Sequence, residues 1–144
     1  MIDQDRRDLL RGAIEDLYFG YRTFTALPDR LLSELGLGRT HHRILHFVGR
    51  DPGLSVGELL GVLEVSKQAV HRPLKDLDER GLIALTHDAA DRRVRRLTLT
   101  PAGHALEARL TSVQMDLLST AFDGLTETEI ATWQQVMRRL ARGE

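Results

Sequence analysis

Apolar side chains recur three and four residues apart along most of this chain, the spacing of helices with one buried face. From Asp3 to Ala26 the stripe is Leu9 or Leu10, Ala13, Leu17, Tyr21 and Phe24, with Tyr18 beside it, and Gly12 and Gly20 weaken the helix. Pro28 interrupts the pattern, and a short helix over Asp29 to Leu35 follows, ended by Gly36-Leu37-Gly38. Thr40 is the expected cap of a helix through Ile44, Leu45, Phe47 and Val48 that stops at Asp51-Pro52-Gly53. Leu54 to Leu63 reads as a short helix started by Ser55, with Glu58 completing a capping box. After a break at Glu64-Val65, Ser66 caps a second helix. Val70, Leu74 and Leu77 form its buried face, and Gln68, His71, Arg72 and Lys75 its wet one. Pro73 removes the bond to the carbonyl of Ala69 and predicts a bend there. Two short helices joined by a tight turn form a helix-turn-helix.

Near residue 90 the rhythm changes. Gly81 ends the second helix, and Leu82–Thr86 and Val94–Leu99 read as strands around a polar tip, His87-Asp88-Ala89-Ala90-Asp91-Arg92-Arg93. Alternation puts Val94, Arg96 and Thr98 on one face and Arg95, Leu97 and Leu99 on the other. A helix-turn-helix followed by such a hairpin is a winged helix. Thr100-Pro101 then starts a long helix with threonine at the cap and proline in the first turn, striped by Ala102, Leu106, Leu110, Val113 and Leu117 and ended by Asp123-Gly124. Thr126 to Glu129 form a second capping box, with Leu125 and Ile130 placed as a hydrophobic staple. Ile130, Trp133, Met137 and Leu140 have the seam spacing of a helix that packs on another helix. The expected fold is mainly α with a small β-hairpin wing.

Composition and charge narrow the picture further. The 144 residues suffice for one domain with a dimerisation extension. The net charge of −1 is low for a nucleic-acid binder, but Arg92, Arg93, Arg95 and Arg96 concentrate positive charge at one place, which suits local phosphate contact. The absence of cysteine excludes disulfides and thiolate metal sites. No stretch is apolar enough to cross a membrane and the first residues lack a signal peptide's apolar run, so a cytoplasmic location without membrane contact is expected.

The polar face of the second helix carries the function. Most such faces are only solvated, but within a winged helix this one is placed for duplex DNA. Gln68 and Arg72, one turn apart, are expected at base edges in the major groove. Ser66, Lys67 and Lys75 are expected at phosphates, and His71 at either. Arg92 and Arg93 complete the DNA-binding set at the wing tip. His41, His42 and His46 have metal-capable spacing, with His104 within conceivable reach. No carboxylate accompanies them at ligand spacing, so no metal and no cofactor is expected. No nucleophile–base pair, phosphate loop or paired carboxylates mark an enzyme.

Gly81-Leu82-Ile83, Asp88-Ala89-Ala90-Asp91-Arg92-Arg93 and Leu97-Thr98-Leu99-Thr100-Pro101-Ala102-Gly103 stand in register with the wing of the MarR family (multiple-antibiotic-resistance type regulators). The order of elements resembles that family over nearly the whole chain. The resemblance implies a winged helix-turn-helix with N- and C-terminal dimerisation helices: 1–38 a dimerisation helix and connector, 39–100 the DNA-binding domain, 101–144 two further dimerisation helices. It implies a homodimer on a near-palindromic operator, with Arg93 in the minor groove and Asp91 holding the wing in shape. Half-sites about 10 bp apart would follow from two-fold symmetry. It implies a repressor released by a small-molecule effector, bound in a pocket lined by Tyr18, Tyr21, Phe24 and His42. The competing expectation is a winged-helix protein–protein interaction module without specific DNA binding. The arginine-tipped wing argues against it.

Overall fold

A computed structural model of the chain describes residues 3–144; Met1 and Ile2, at the start of the segment read for a signal peptide, lie outside the described residues. Helix α1 spans Gln4–Glu34, with the Asp3 carboxylate accepting the Arg6 N–H at its start. It continues without a break through Pro28, where two helices were expected. The ring is buried, Leu31 and Leu32 beyond it pack on the core, and the Thr25 hydroxyl donates to the Tyr21 carbonyl at 2.9 Å just upstream. Burial of the ring and of Leu31 and Leu32 beyond it thus outweighs a penalty of about 3 kcal/mol. Gly36, at φ +70°, ends the helix as expected: its N–H reaches the Ser33 carbonyl and that of Leu37 the Leu32 carbonyl.

Helix α2 spans Arg39–Arg50 and is capped at Gly38, not at Thr40. Glycine offers no cap side chain. His41 instead supplies the reciprocal half of a capping box, its ring Nδ1 accepting the Gly38 N–H at 3.0 Å. Leu54–Ser55 form a short strand β1, and α3 (Val56–Leu63) follows with the expected box between Ser55 and Glu58. Helix α4 (Lys67–Glu79) starts at Ser66, whose hydroxyl accepts the Ala69 N–H. It too runs on through its proline, Pro73. Ala69, whose carbonyl loses a partner there, is exposed, so water can take the place of the missing bond.

Strands β2 (Ile83–His87) and β3 (Arg95–Leu99) pair antiparallel with Ile83 opposite Leu99 and His87 opposite Arg95. Strand β1 adds to the other edge of β3, Leu54 opposite Leu97, so the hairpin is one side of a three-stranded sheet ordered β1-β3-β2. Helix α5 (Pro101–Ala121) is capped by Thr100. Its buried stripe begins at Gly103, not at the exposed Ala102, and continues through Leu106 and Leu110. Helix α6 (Glu127–Arg142) opens with the expected box of Thr126 and Glu129.

A single core joins Leu32 and Leu37 to Ile44, Leu45 and Val48 of α2, Leu59 of α3, and Val70, Leu74 and Leu77 of α4. Leu54 of β1, Ile83 of β2, Leu97 and Leu99 of β3, and Leu106 and Leu110 of α5 complete it. The first five turns of α1 and all of α6 lie outside that core. Helix α6 buries no residue, and its clearest contact is an edge-to-face meeting of Trp133 with Phe122 just beyond α5. No helix among the described residues is long and apolar enough to cross a membrane.

Candidate nucleic-acid interface

Helix α4 is anchored by Val70, Leu74 and Leu77, all buried, and this fixes which way its other side looks. Gln68, His71, Arg72 and Lys75 are exposed, as are Ser66 and Lys67 at its start. Lys75 stands 3.9 Å from Glu79, a loose surface pair that leaves the ammonium free to move. The Ser66 hydroxyl already accepts the Ala69 N–H, so only its proton remains for an outside acceptor.

Between α4 and the wing lies a cleft of about 140 Å³. Lys67, His71 and Lys75 line one wall and Arg95 of β3 the other, over a floor of Val70, Leu74 and Leu85. Two lysines and an arginine thus border a single concavity beside the outward helix face, with Asp78 also on its wall. Arg95 was absent from the residues expected to bind DNA. Its signal was present in the alternation, which set it opposite Arg96; the structure turns it toward α4.

The wing tip is built by two carboxylates. Asp88 accepts the backbone N–H groups of Ala90 and Asp91 at 3.0 and 2.9 Å and the Arg96 Nε at 2.7 Å. These bonds, the arginine's first, hold its carboxyl below the usual aspartate range. Asp91 accepts both the backbone N–H and the guanidinium of Arg93, which likewise lowers its pKa. Arg93 is 91% exposed even so. Asp91 therefore orients Arg93 while Asp88 shapes the loop, a division of labour the sequence did not distinguish. Arg92 is exposed, and its carbonyl accepts from the His87 ring Nδ1 at 2.8 Å. Arg96 reaches from β3 both to Asp88 and to the Gly53 carbonyl before β1.

The histidines do not converge. His41 Nδ1 accepts from Gly38, so its Nε2 carries the proton and donates to Asp76 of α4 at 3.3 Å. His46 faces Glu107 of α5 at 3.7 Å. His42 is half-buried, and desolvation, then the neighbouring His46, lowers its pKa. No group of three metal-ligating side chains occurs among the described residues.

Of the four residues expected around an effector, Tyr18 and Tyr21 do line a concavity of about 350 Å³ on α1, together with Arg22, Thr25, Asp29 and Arg39. Phe24 and His42 are not among its walls. Phe24 and His42 are both half-buried, one on α1 and one on α2. Arg39 sits over the Tyr21 ring and forks onto Asp29 at 2.8 to 3.1 Å, which joins α2 to α1.

A helix-turn-helix with an outward polar helix, flanked by an arginine-tipped hairpin, defines a winged-helix transcription regulator. A model of the MarR family matches residues 35–94. The HTH-type transcriptional regulator PetP of Rhodobacter capsulatus is 40% identical over 131 residues, which span 91% of this chain and 79% of that protein. The chain belongs to the MarR family. The crystal structure of a MarR family transcription regulator superposes with a TM-score of 0.79 at 25% identity, covering 96% of this chain and 91% of the other. FabT of Streptococcus pneumoniae, solved in complex with DNA, shares the fold at 20% identity with a TM-score of 0.79, covering 92% of this chain and 95% of its own. Membership makes the chain a transcription regulator and not an enzyme.

Proposed function

We propose that the chain acts as a homodimer that binds duplex DNA at a near-palindromic operator and represses until a small molecule releases it. The cleft between α4 and the wing carries this reading: Lys67, His71, Lys75 and Arg95 converge there beside a helix face left exposed among the described residues. Gln68 and Arg72 read base edges in the major groove, Ser66, Lys67 and Lys75 hold phosphates, and His71 serves either. Arg93 enters the minor groove, where a narrow A·T-rich stretch concentrates negative potential, and Arg92 supports it at the tip. FabT, bound to DNA in its crystal structure, supports the class of partner.

Dimerisation is supported by apolar surface that a single chain leaves in water. On α1, Leu10, Ile14, Leu17 and Tyr21 are 38–67% exposed, and on α6 Trp133, Val136 and Leu140 are 42–55% exposed. A patch of this kind marks an interface. Residues 1–38 and 101–144 then serve as dimerisation segments around a DNA-binding domain at 39–100, although Leu32, Leu37, Leu106 and Leu110 also complete that domain's core. The concavity at Tyr18, Tyr21 and Arg39 is the proposed effector site, because it lies where α1 meets α2.

Fluorescence-anisotropy titration against duplex from the promoter beside its own gene, with a scrambled duplex alongside and two salt concentrations, tests the reading. Selective binding with two subunits per site is expected, with log affinity falling linearly against log salt. Binding that ignores sequence even in a random-sequence selection overturns it.

A further inference from the structure

Four arginines crowd the wing, and they do not share one task. Arg92 and Arg93 are exposed at the tip, and Arg95 lines the cleft against α4. Arg96, on the opposite face of β3, is half-buried and points at the body of the domain. Its Nε donates to Asp88 Oδ1 at 2.7 Å, its Nη1 donates to the Gly53 carbonyl at 3.0 Å, and the same Nη1 lies 3.7 Å from Glu58 Oε1. One guanidinium therefore joins the wing loop, the turn before β1 and the first turn of α3. From the geometry we infer that Arg96 is a positioning residue, which holds the wing at a set angle to the helix-turn-helix so that Arg93 meets the DNA already aimed.

The route from Arg96 to Arg93 is short and continuous. Asp88, held by Arg96, accepts the N–H groups of Ala90 and Asp91, and Asp91 in turn holds the backbone and guanidinium of Arg93. At the other end Gly53 and Glu58 belong to the domain body; Glu58 is itself fixed by the Ser55 N–H at 3.1 Å. Among the described residues the tip beyond His87 and Arg95 has no sheet neighbour other than its own hairpin, and this bridge ties it to α3. A planar fork suits the task because Nε and Nη1 serve acceptors in different directions at once; a lysine has one point of attachment and cannot span them. Breaking the bridge leaves the loop to be ordered when DNA binds, and ordering about one residue costs about tenfold in affinity.

The inference rests on the reading that the wing tip touches DNA, and the experiment separates the two. DNA affinity is measured for Arg93→Ala, Arg96→Met, Arg96→Lys and the Arg93→Ala/Arg96→Met double variant, with amide hydrogen exchange of each free protein. Arg96→Met and Arg96→Lys are both expected to weaken binding about tenfold. The double variant is expected to be little weaker than either single one, because the two act through one contact. Exchange at Ala90 and Asp91 should quicken in both Arg96 variants, while β2 and β3 keep their protection. Arg96→Lys binding like the parent, or losses that simply add in the double variant, would show Arg96 acting as an independent charge and overturn the inference alone. Unchanged affinity of Arg93→Ala would overturn the wing-tip contact and the inference with it. Unchanged exchange at Ala90 and Asp91 overturns the inference whatever the DNA data show, and this readout needs no operator.

Discussion

A Cβ placed on Gly103 would lie 1.9 Å from the carbonyl oxygen of Leu82. The start of α5 and the entry to the wing are that close because the Thr100 N–H donates to the same carbonyl at 3.2 Å and the Thr100 hydroxyl to the Gly81 carbonyl. Only glycine fits unless backbone moves. Gly103→Ala is therefore expected to destabilise the fold by about 1–3 kcal/mol or more despite alanine's better helix propensity. Urea unfolding followed by circular dichroism reads this; an equal or higher midpoint would mean that the contact relaxes freely.

Ser66 caps the helix that presents the polar face, with its hydroxyl accepting the Ala69 N–H at 3.2 Å. Ser66→Ala should cost about 1 kcal/mol in stability and Ser66→Gly only a few tenths. Equal unfolding midpoints for serine and alanine would show that the cap contributes nothing.

Arg72 is exposed one turn after Gln68 on that face. Arg72→Ala should weaken operator binding by about 1–3 kcal/mol and relax preference at one base position. Selection from a randomised duplex pool gives the readout, and a sequence preference identical to the parent's would remove Arg72 from the base-reading set.

His42 sets a pH dependence. Burial and the neighbouring His46 lower its pKa from 6.5, against the weaker opposing pull of Glu107 and Asp29. The unfolded chain therefore binds the proton more readily than the folded one. Stability should fall as pH drops through about 6.5, and be recovered above it. Urea midpoints between about pH 7.5 and about pH 5.5 should fall less steeply in His42→Gln. Parallel pH profiles would show that other groups dominate.

Much of the helix-turn-helix was legible in the sequence. The capping serines Ser55 and Ser66, the buried trio Val70, Leu74 and Leu77, and the glycine at Gly81 all act through neighbours within a few residues, so local rules find them. The same rules failed at Pro28. They count the lost hydrogen bond but not the burial of the ring and of Leu32 beyond it. They also missed Gly38 as the cap of α2, because a histidine took the place usually held by glutamate or glutamine.

The helix-turn-helix, the wing, the polar face of α4 and the arginine tip thus follow from residue spacing, because helical and strand periods are local properties of the backbone. The rest depends on pairs distant in the chain. Strand β1 is only two residues long and exists because Leu54 meets Leu97. Arg95 and Arg96 are neighbours with the same chemistry, yet one borders the cleft at Lys67 and His71 and the other bridges Asp88 to Gly53. Periodicity places them on opposite faces of a strand but cannot say what each face meets. That is set by how the sheet packs on α3 and α4, and so it emerges only when the chain has folded.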